Sequence, residues 1–216
     1  MTMRTWNWKR TGSGLIAGTA AALLIGASTA PALAAAPTWS VKPGGVATLK
    51  AAKVALTDSK SKTKLICATS AAKLSIKKGH KLAGAGIASV TAIGFSGCTG
   101  PLGIKFTVKS SHLPWKVNAV SYAKATGITT GTITGIHATL TGPGCSAVVD
   151  GTGATKNNGM VKAAFSNKTH KLTVLATGGN LHIYKVAGCF GLIKSGDGTS
   201  YVSVNSVSPA QTITSP

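Results

Sequence analysis

Apolar and polar residues alternate with a period of two along most of this chain, a pattern typical of β-strands with one buried face. The pattern predicts about eleven strands, at 46–57, 64–68, 87–95, 103–109, 117–122, 131–141, 145–149, 159–166, 171–176, 180–186 and 201–207. The Ala-rich stretch 47–56 could also form a short helix, but Gly44 and Gly45 precede it and no helix cap does. The fold class that follows is all-β, a single antiparallel β-sandwich or barrel.

The first 34 residues have the layout of a secretory signal peptide. Three basic residues and no acid precede the apolar stretch 15–27, and a small-residue site, Ala32-Leu33-Ala34, follows it. We expect cleavage after Ala34 and secretion of residues 35–216 as one β-domain. The chain holds no later apolar run long enough for a transmembrane helix, so we expect no transmembrane segment.

The predicted mature chain is strongly basic. It keeps 20 of the 23 basic residues, all of them lysines, and all three acids (Asp58, Asp150 and Asp197), so its net charge is +17. Such a charge attracts polyanions, which outside a cell are mainly envelope polymers, acidic polysaccharides and released nucleic acid. A scattered lysine surface that only confers solubility is the alternative interpretation. The absence of arginine argues against sequence-specific recognition of nucleic acid.

The four cysteines of an exported chain predict two disulfides. Sequence alone allows three connectivities, but the chain contains a repeated motif, Gly-Cys-x-Gly, which follows an apolar run at both Cys98 and Cys189. Pairing within each half favours Cys67–Cys98 and Cys145–Cys189, with Cα atoms about 4.4–6.8 Å apart. The halves would span about 38–122 and 128–214, either as two similar β units or, as we prefer, within one domain. No close Cys or His pair indicates a metal site.

Catalytic motifs are scarce, which favours a protein without enzymatic activity or cofactor. Three isolated aspartates and no glutamate do not suit the paired carboxylates of a glycosidase. The candidate surface site is His137, His182 and Trp115. The two histidines would lie on strands, opposite their apolar neighbours, as a metal or proton site or as ordinary surface histidines. Trp115 could be an exposed platform, although a core tryptophan closing a barrel end is the more common arrangement.

Several segments carry a resemblance to a known group of proteins. They are 113–120, 131–138, 144–147, 178–184 and 188–191. In these segments the chain resembles uncharacterised secreted two-disulfide proteins of actinomycetes, from about Trp39 to Thr214. The resemblance implies export and two disulfides, and it implies no functional site.

The leading hypothesis is therefore a secreted, non-enzymatic β-protein that binds cell-envelope polymers or other extracellular polyanions through its lysines. Two alternatives stay open. One is a secreted hydrolase with a site built around His137 and His182, which would need a cleft where histidine meets Asp or Ser. The other is a secreted inhibitor or antimicrobial factor that presents a loop such as Gly97–Gly103.

Overall fold

Long antiparallel strands make up most of the chain. The computed structural model describes residues 36–216, so the predicted signal peptide and its cleavage site lie outside the described residues. The strands are β1 (Thr38–Lys42), β2 (Gly45–Asp58), β3 (Lys64–Ile76), β4 (Gly79–Ala83), β5 (Ala88–Thr99), β6 (Lys105–Ser111), β7 (Trp115–Ala123), β8 (Ile128–Gly142), β9 (Cys145–Asp150), β10 (Gly159–Ser166), β11 (Lys171–Val174), β12 (His182–Gly188), β13 (Thr199–Ser208) and β14 (Thr212–Thr214). Single 3-10 turns lie at Pro101–Gly103 and Cys189–Gly191. The all-β prediction is confirmed, and the stretch 47–56 belongs to strand β2 rather than to a helix.

Eight of these strands close into a barrel-like ring. Each pairs with the next in antiparallel fashion in the order β8, β10, β11, β13, β2, β3, β5 and β7, and β7 pairs again with β8. Closure leaves this part of the sheet without an unpaired edge, which removes the usual risk of edge-to-edge association.

Strand β8 is long enough to leave the ring and build a second section. Its C-terminal half pairs with β6 on one side and β9 on the other, and β12 extends the sheet beyond β9. A bridge between His182 and Gly198 then joins β12 to the start of β13. Strand β8 and this bridge therefore join the second section to the ring, and one core cluster contains side chains from both sections, Leu140 and Val161 among them.

A small separate sheet closes one mouth of the ring. Strand β1 pairs with β14 on one side and β4 on the other, and it buries Trp39 and Val41 almost completely. These three strands are absent from the eleven that the sequence predicts. Each has five residues or fewer, and their pairing with one another links segments far apart in the sequence.

Both disulfides pair as the sequence analysis predicts. The bonds are Cys67–Cys98 and Cys145–Cys189, with Cα separations of 3.7 and 4.2 Å. These separations are below the predicted range. Cys67 and Cys98 are direct cross-strand partners, which brings their Cα atoms close. Pairings such as β2 with β13 and β7 with β8 join the two disulfide-linked halves within one compact unit, 35–216. Within 36–216 no helix is long and apolar enough to cross a membrane.

Candidate functional site

The distribution of charge between surface and interior is the most distinctive feature of the described chain. All 20 lysines within residues 36–216 are exposed. The three aspartates are buried, with Asp58 2%, Asp150 0% and Asp197 3% exposed. The protein therefore presents cationic side chains to solvent and no exposed acidic side chain from this region. We call these 20 lysines the lysine surface.

Uncharged neighbours separate the lysines that lie on strands. Lys50 lies between Ala71 and Ser206, and Lys162 faces Thr132 across the ladders. No strand ladder within 36–216 places one lysine directly opposite another, an arrangement that would be destabilising. Along these ladders, uncharged residues therefore lie directly opposite the strand lysines.

The buried aspartates hold loops together. Asp58 Oδ1 accepts hydrogen bonds from the backbone N–H groups of Lys60 and Ser61, at 2.9 and 2.7 Å, and fixes the turn between β2 and β3. Asp197 accepts from the backbone N–H of Lys194 at 2.8 Å and pairs with Lys60 Nζ at 2.9 Å. The hydrogen bond and charge of Lys60 lower the pKa of Asp197, and the same contact raises the pKa of Lys60. Lys60 is the one lysine of residues 36–216 that pairs with a carboxylate.

Four turns and both disulfides gather at the mouth of the ring opposite the small sheet. Residues 58–64, 100–104, 142–145 and 188–198 form these turns, and we call this region the disulfide end. The ladders place them together, because Thr99 faces Lys105, Gly142 faces Cys145 and Cys145 faces Gly188 on successive strands.

Hydrogen bonds to backbone carbonyls fix the turns of the disulfide end against one another. The N–H of Cys189 donates to the carbonyl of Gly144 at 2.8 Å, and Thr63 Oγ1 donates to the carbonyl of Leu192 at 3.2 Å. Gly188 has a φ of +71°, and a Cβ there would collide with the Gly144 carbonyl oxygen, so this position requires glycine. Beneath the turns lies an apolar cavity of about 60 Å³, lined by Pro101 and Phe190 from the turns and by Phe106 from strand β6.

His137 and Asp150 meet where the second section of the sheet ends. His137 Nδ1 lies 2.9 Å from Asp150 Oδ2, and the two side chains are almost completely buried. Asp150 also accepts hydrogen bonds from the backbone N–H groups of Gly151, Asn157 and Asn158, at 2.6, 2.9 and 3.0 Å. Burial alone would raise the pKa of Asp150, but the bonds from His137 and from these three backbone groups outweigh it, and the pKa is lowered.

This His–Asp pair does not extend to a nucleophile within the described residues. The other neighbour of the His137 ring is the His112 ring, edge-on with centroids 4.9 Å apart. No Ser, Thr or Cys side chain of 36–216 hydrogen-bonds to His137, whereas a hydrolase of the Ser–His–Asp type needs that contact. The carboxylate is the anchor of the loop 151–158, and the histidine supplies one of its four donors.

The three predicted surface-site residues do not form a surface site. Trp115 is 5% exposed, and its indole N–H donates to the carbonyl of Ser111, so it is a core tryptophan, as the sequence favours, and not an exposed platform. His137 is 9% exposed, because His112 and the Asp150 loop cover the outer face of its strand; its surface placement is wrong. His182 is half-buried, with Nδ1 2.8 Å from the carbonyl oxygen of Asn180. It faces Asp150 across the ladder but makes no hydrogen bond to it.

The interior of the ring contains an apolar cavity of about 100 Å³. A few polar side chains reach its wall, among them Tyr201, Ser203 and Asn205. Burial raises the pKa of the Tyr201 hydroxyl, against hydrogen bonds with Ser203 and Ser70 that lower it. Ligand sites for metabolite-sized molecules usually measure about 300–1,000 Å³, so this volume is too small for such a ligand.

Comparisons with protein-family models, with curated protein sequences and with solved structures find no match to this chain. The resemblance to secreted actinomycete proteins therefore stays a prediction, and the chemistry of the surface carries the functional argument.

Sequence reasoning missed the complete separation of charge between surface and interior. A partial signal for it exists, because Asp150 and Asp197 each precede glycine, as turn residues often do. It also missed that the two Gly-Cys-x-Gly segments lie at the same end of the molecule. Their similarity along the sequence was visible, but only the strand ladders bring them together.

Proposed function

We propose that the protein is a secreted, non-enzymatic β-protein that binds extracellular polyanions, cell-envelope polymers included, through its lysine surface. The observation that carries the proposal is that all 20 lysines of residues 36–216 are exposed while all three aspartates are buried. Because the three aspartates are buried and only Asp197 pairs with a lysine, the exposed lysines carry a net charge of +17 for residues 35–216 to the surroundings. Two disulfides suit a protein that works in an oxidising compartment.

The type and spacing of the cations favour broad rather than specific recognition. Lysine is a compact, strongly hydrated charge without the planar fork with which arginine contacts phosphate or sulfate in two places. Strand lysines such as Lys50 and Lys73 have alanine, serine or threonine as neighbours, so they do not converge on one ligand group. Polymers with the same charge density should therefore bind with similar affinity.

The hydrolase alternative has one observation in its favour, the hydrogen bond between His137 and Asp150. Three backbone donors to the same carboxylate account for Asp150 as a loop anchor. His137 is itself buried, and no Ser, Thr or Cys side chain of residues 36–216 hydrogen-bonds to it, so the pair has no nucleophile to activate. We therefore favour binding over catalysis.

Matched substitutions of the same lysines test the proposal. In one variant Lys50, Lys73, Lys109, Lys162 and Lys171 become glutamine, and in the other they become arginine. All five are exposed strand residues and make no ion pair within 36–216. Surface charge contacts contribute about 0.2–1 kcal/mol each, so the glutamine variant should bind heparin at least about fivefold more weakly at low salt.

The arginine variant keeps the charge and should bind heparin at least as tightly as the wild type, because each arginine can contact a sulfate in two places. Loss of binding in both variants, with the fold intact by circular dichroism, would show that lysine geometry matters and would contradict broad recognition. Unchanged binding in the glutamine variant would contradict the role of the lysine surface itself.

A further inference from the structure

Two large apolar side chains project into solvent from the turns of the disulfide end. Leu102 is 97% exposed and Phe190 is 73% exposed. We call these two side chains the apolar tips. Both residues have positive φ, +57° and +53°, a conformation that is unfavourable for bulky side chains. Glycine adopts this conformation at no steric cost, so leucine and phenylalanine at these two positions expose apolar surface and add backbone strain.

The apolar tips lie at one end of the molecule and are surrounded by lysines. Strands β6, β8, β9 and β12 pair side by side in this order. The turn with Leu102 precedes β6, and the turn with Phe190 follows β12. The lysines in or next to the turns of this end are Lys60, Lys62, Lys64, Lys105 and Lys194, all of them exposed. Leu192, 37% exposed, adds a third apolar side chain beside Phe190.

Charge decides which kind of partner can cover this end. A second copy would present the same lysines and no exposed acidic side chain from its residues 36–216, so self-association through this surface is opposed by like-charge repulsion. The partner must therefore be anionic. The apolar tips lie on separate turns, and only Phe190 also lines the cavity of about 60 Å³ beneath them, so the two side chains do not form one shaped pocket. This arrangement suits a fluid surface better than a protein ligand. A lipid bilayer with anionic headgroups offers both negative charge and an apolar layer a few ångströms below it.

We propose that the disulfide end docks on anionic phospholipid bilayers, with Leu102 and Phe190 entering the headgroup–acyl boundary and the surrounding lysines contacting the phosphates. This inference rests on the proposed binding of polyanions and specifies one partner and one surface for it. Lipid binding then has two parts, an electrostatic one shared with soluble polyanions and an apolar one that soluble polyanions cannot supply.

Sedimentation with vesicles separates the two parts. The secreted protein is mixed with vesicles of phosphatidylcholine alone or of equal parts phosphatidylcholine and phosphatidylglycerol, and binding to soluble heparin is measured in parallel. The test variant is L102S/F190S. The control is V46S/V120S, which removes two other exposed apolar side chains (72% and 59% exposed) away from the disulfide end.

The test variant should partition onto anionic vesicles at least about tenfold more weakly than the wild type, because burying two apolar side chains from water is strongly favourable. The control variant should partition like the wild type, and all three proteins should bind heparin equally. Binding of the wild type to pure phosphatidylcholine vesicles should be weak, since those vesicles lack net charge.

A tryptophan at one tip provides a second, direct readout. In F190W the new side chain should be solvent-exposed in the free protein, unlike the buried Trp39 and Trp115. Addition of anionic vesicles should shift its emission to shorter wavelength, and lipids brominated along the acyl chain should quench it.

The outcomes distinguish this inference from the proposed function. Normal heparin binding with equal vesicle binding by L102S/F190S and the control, or with no shift in F190W, overturns the lipid inference and leaves polyanion binding intact. Failure of the wild type to bind either heparin or anionic vesicles overturns both. Equal binding to neutral and anionic vesicles overturns the role of the lysines at this end.

Discussion

Replacing Asp150 with asparagine removes one charge from the most buried carboxylate without changing its size. In the wild type, Oδ1 accepts from Gly151 and Asn158, and Oδ2 accepts from His137 and Asn157. Asparagine offers one oxygen and one NH₂ group, so it can serve only one of these two sets of donors.

The less costly arrangement keeps the oxygen toward the two backbone groups at the Oδ1 position. The NH₂ group then faces His137, which can accept through its other tautomer, and the N–H of Asn157 loses its acceptor. A buried donor without a partner costs about 1–3 kcal/mol, and the hydrogen bonds that remain change from charge-assisted to neutral. We expect the free energy of unfolding of D150N to be about 2–4 kcal/mol lower than that of the wild type. For a domain of this size, such a loss lowers Tm by about 4–16 °C.

Asp58 provides a matched control for the same chemical change. It is also buried, but its three hydrogen bonds all go to Oδ1, and Oδ2 has no partner within 36–216. An asparagine at this position can keep all three bonds with its oxygen, so D58N should lie within about 1 kcal/mol of the wild type. Thermal and urea unfolding of both variants at neutral pH measure the difference. Equal stability of D150N and D58N would refute the assignment of Asp150 as the anchor of the loop 151–158.

Two further outcomes follow from the charges and the cysteines. Because the pKa values of Asp150 and Asp197 are lowered in the folded protein, the unfolded chain binds more protons between the folded and unfolded pKa values. The stabilisation from these two carboxylates should therefore be fully present above about pH 4 and be lost as the pH falls through their folded pKa values. The loss should be shallower in D150N, which lacks one of them. Acid unfolding followed by circular dichroism checks this, and equal profiles for the wild type and D150N would contradict it. Intact mass of the secreted form should show a chain that begins at Ala35 and takes up alkyl groups only after reduction, and a thiol that alkylates beforehand would contradict the pairing of all four cysteines.

Period-two alternation was sufficient to predict the strands that form the ring, because each of them has one face toward a continuous core. It failed where tertiary contacts alone define a strand. Strands β1, β4 and β14 are short and become recognisable only through their pairing around Trp39. It also failed at His137, where His112 and the Asp150 loop bury the face that alternation assigns to solvent.

The sequence predicts the charge of the surface and the number of disulfides, but it does not predict which side chains are buried or exposed. Composition alone shows a lysine-rich, arginine-free mature chain, and the even number of cysteines indicates two disulfides. Asp58 and Asp197 accept from backbone groups two or three residues away, but their burial depends on how the loops pack. The contacts of Asp150 with His137 and Asn158 join separate segments, so local sequence does not show them. The exposure of Leu102 and Phe190 likewise depends on turns that disulfides and ladders hold in place.

The salt dependence of polyanion binding tests the central claim most directly. The affinity of the secreted protein for heparin and for anionic envelope polymers of equal charge density is measured from about 0.05 M to about 1 M salt, over which the screening length falls from more than about 10 Å to about 3 Å. Binding through the lysine surface predicts a continuous loss of affinity, little difference between the polymers, and no retention at about 1 M salt. Retention at that concentration, or sharp discrimination between polymers of equal charge density, would contradict the account.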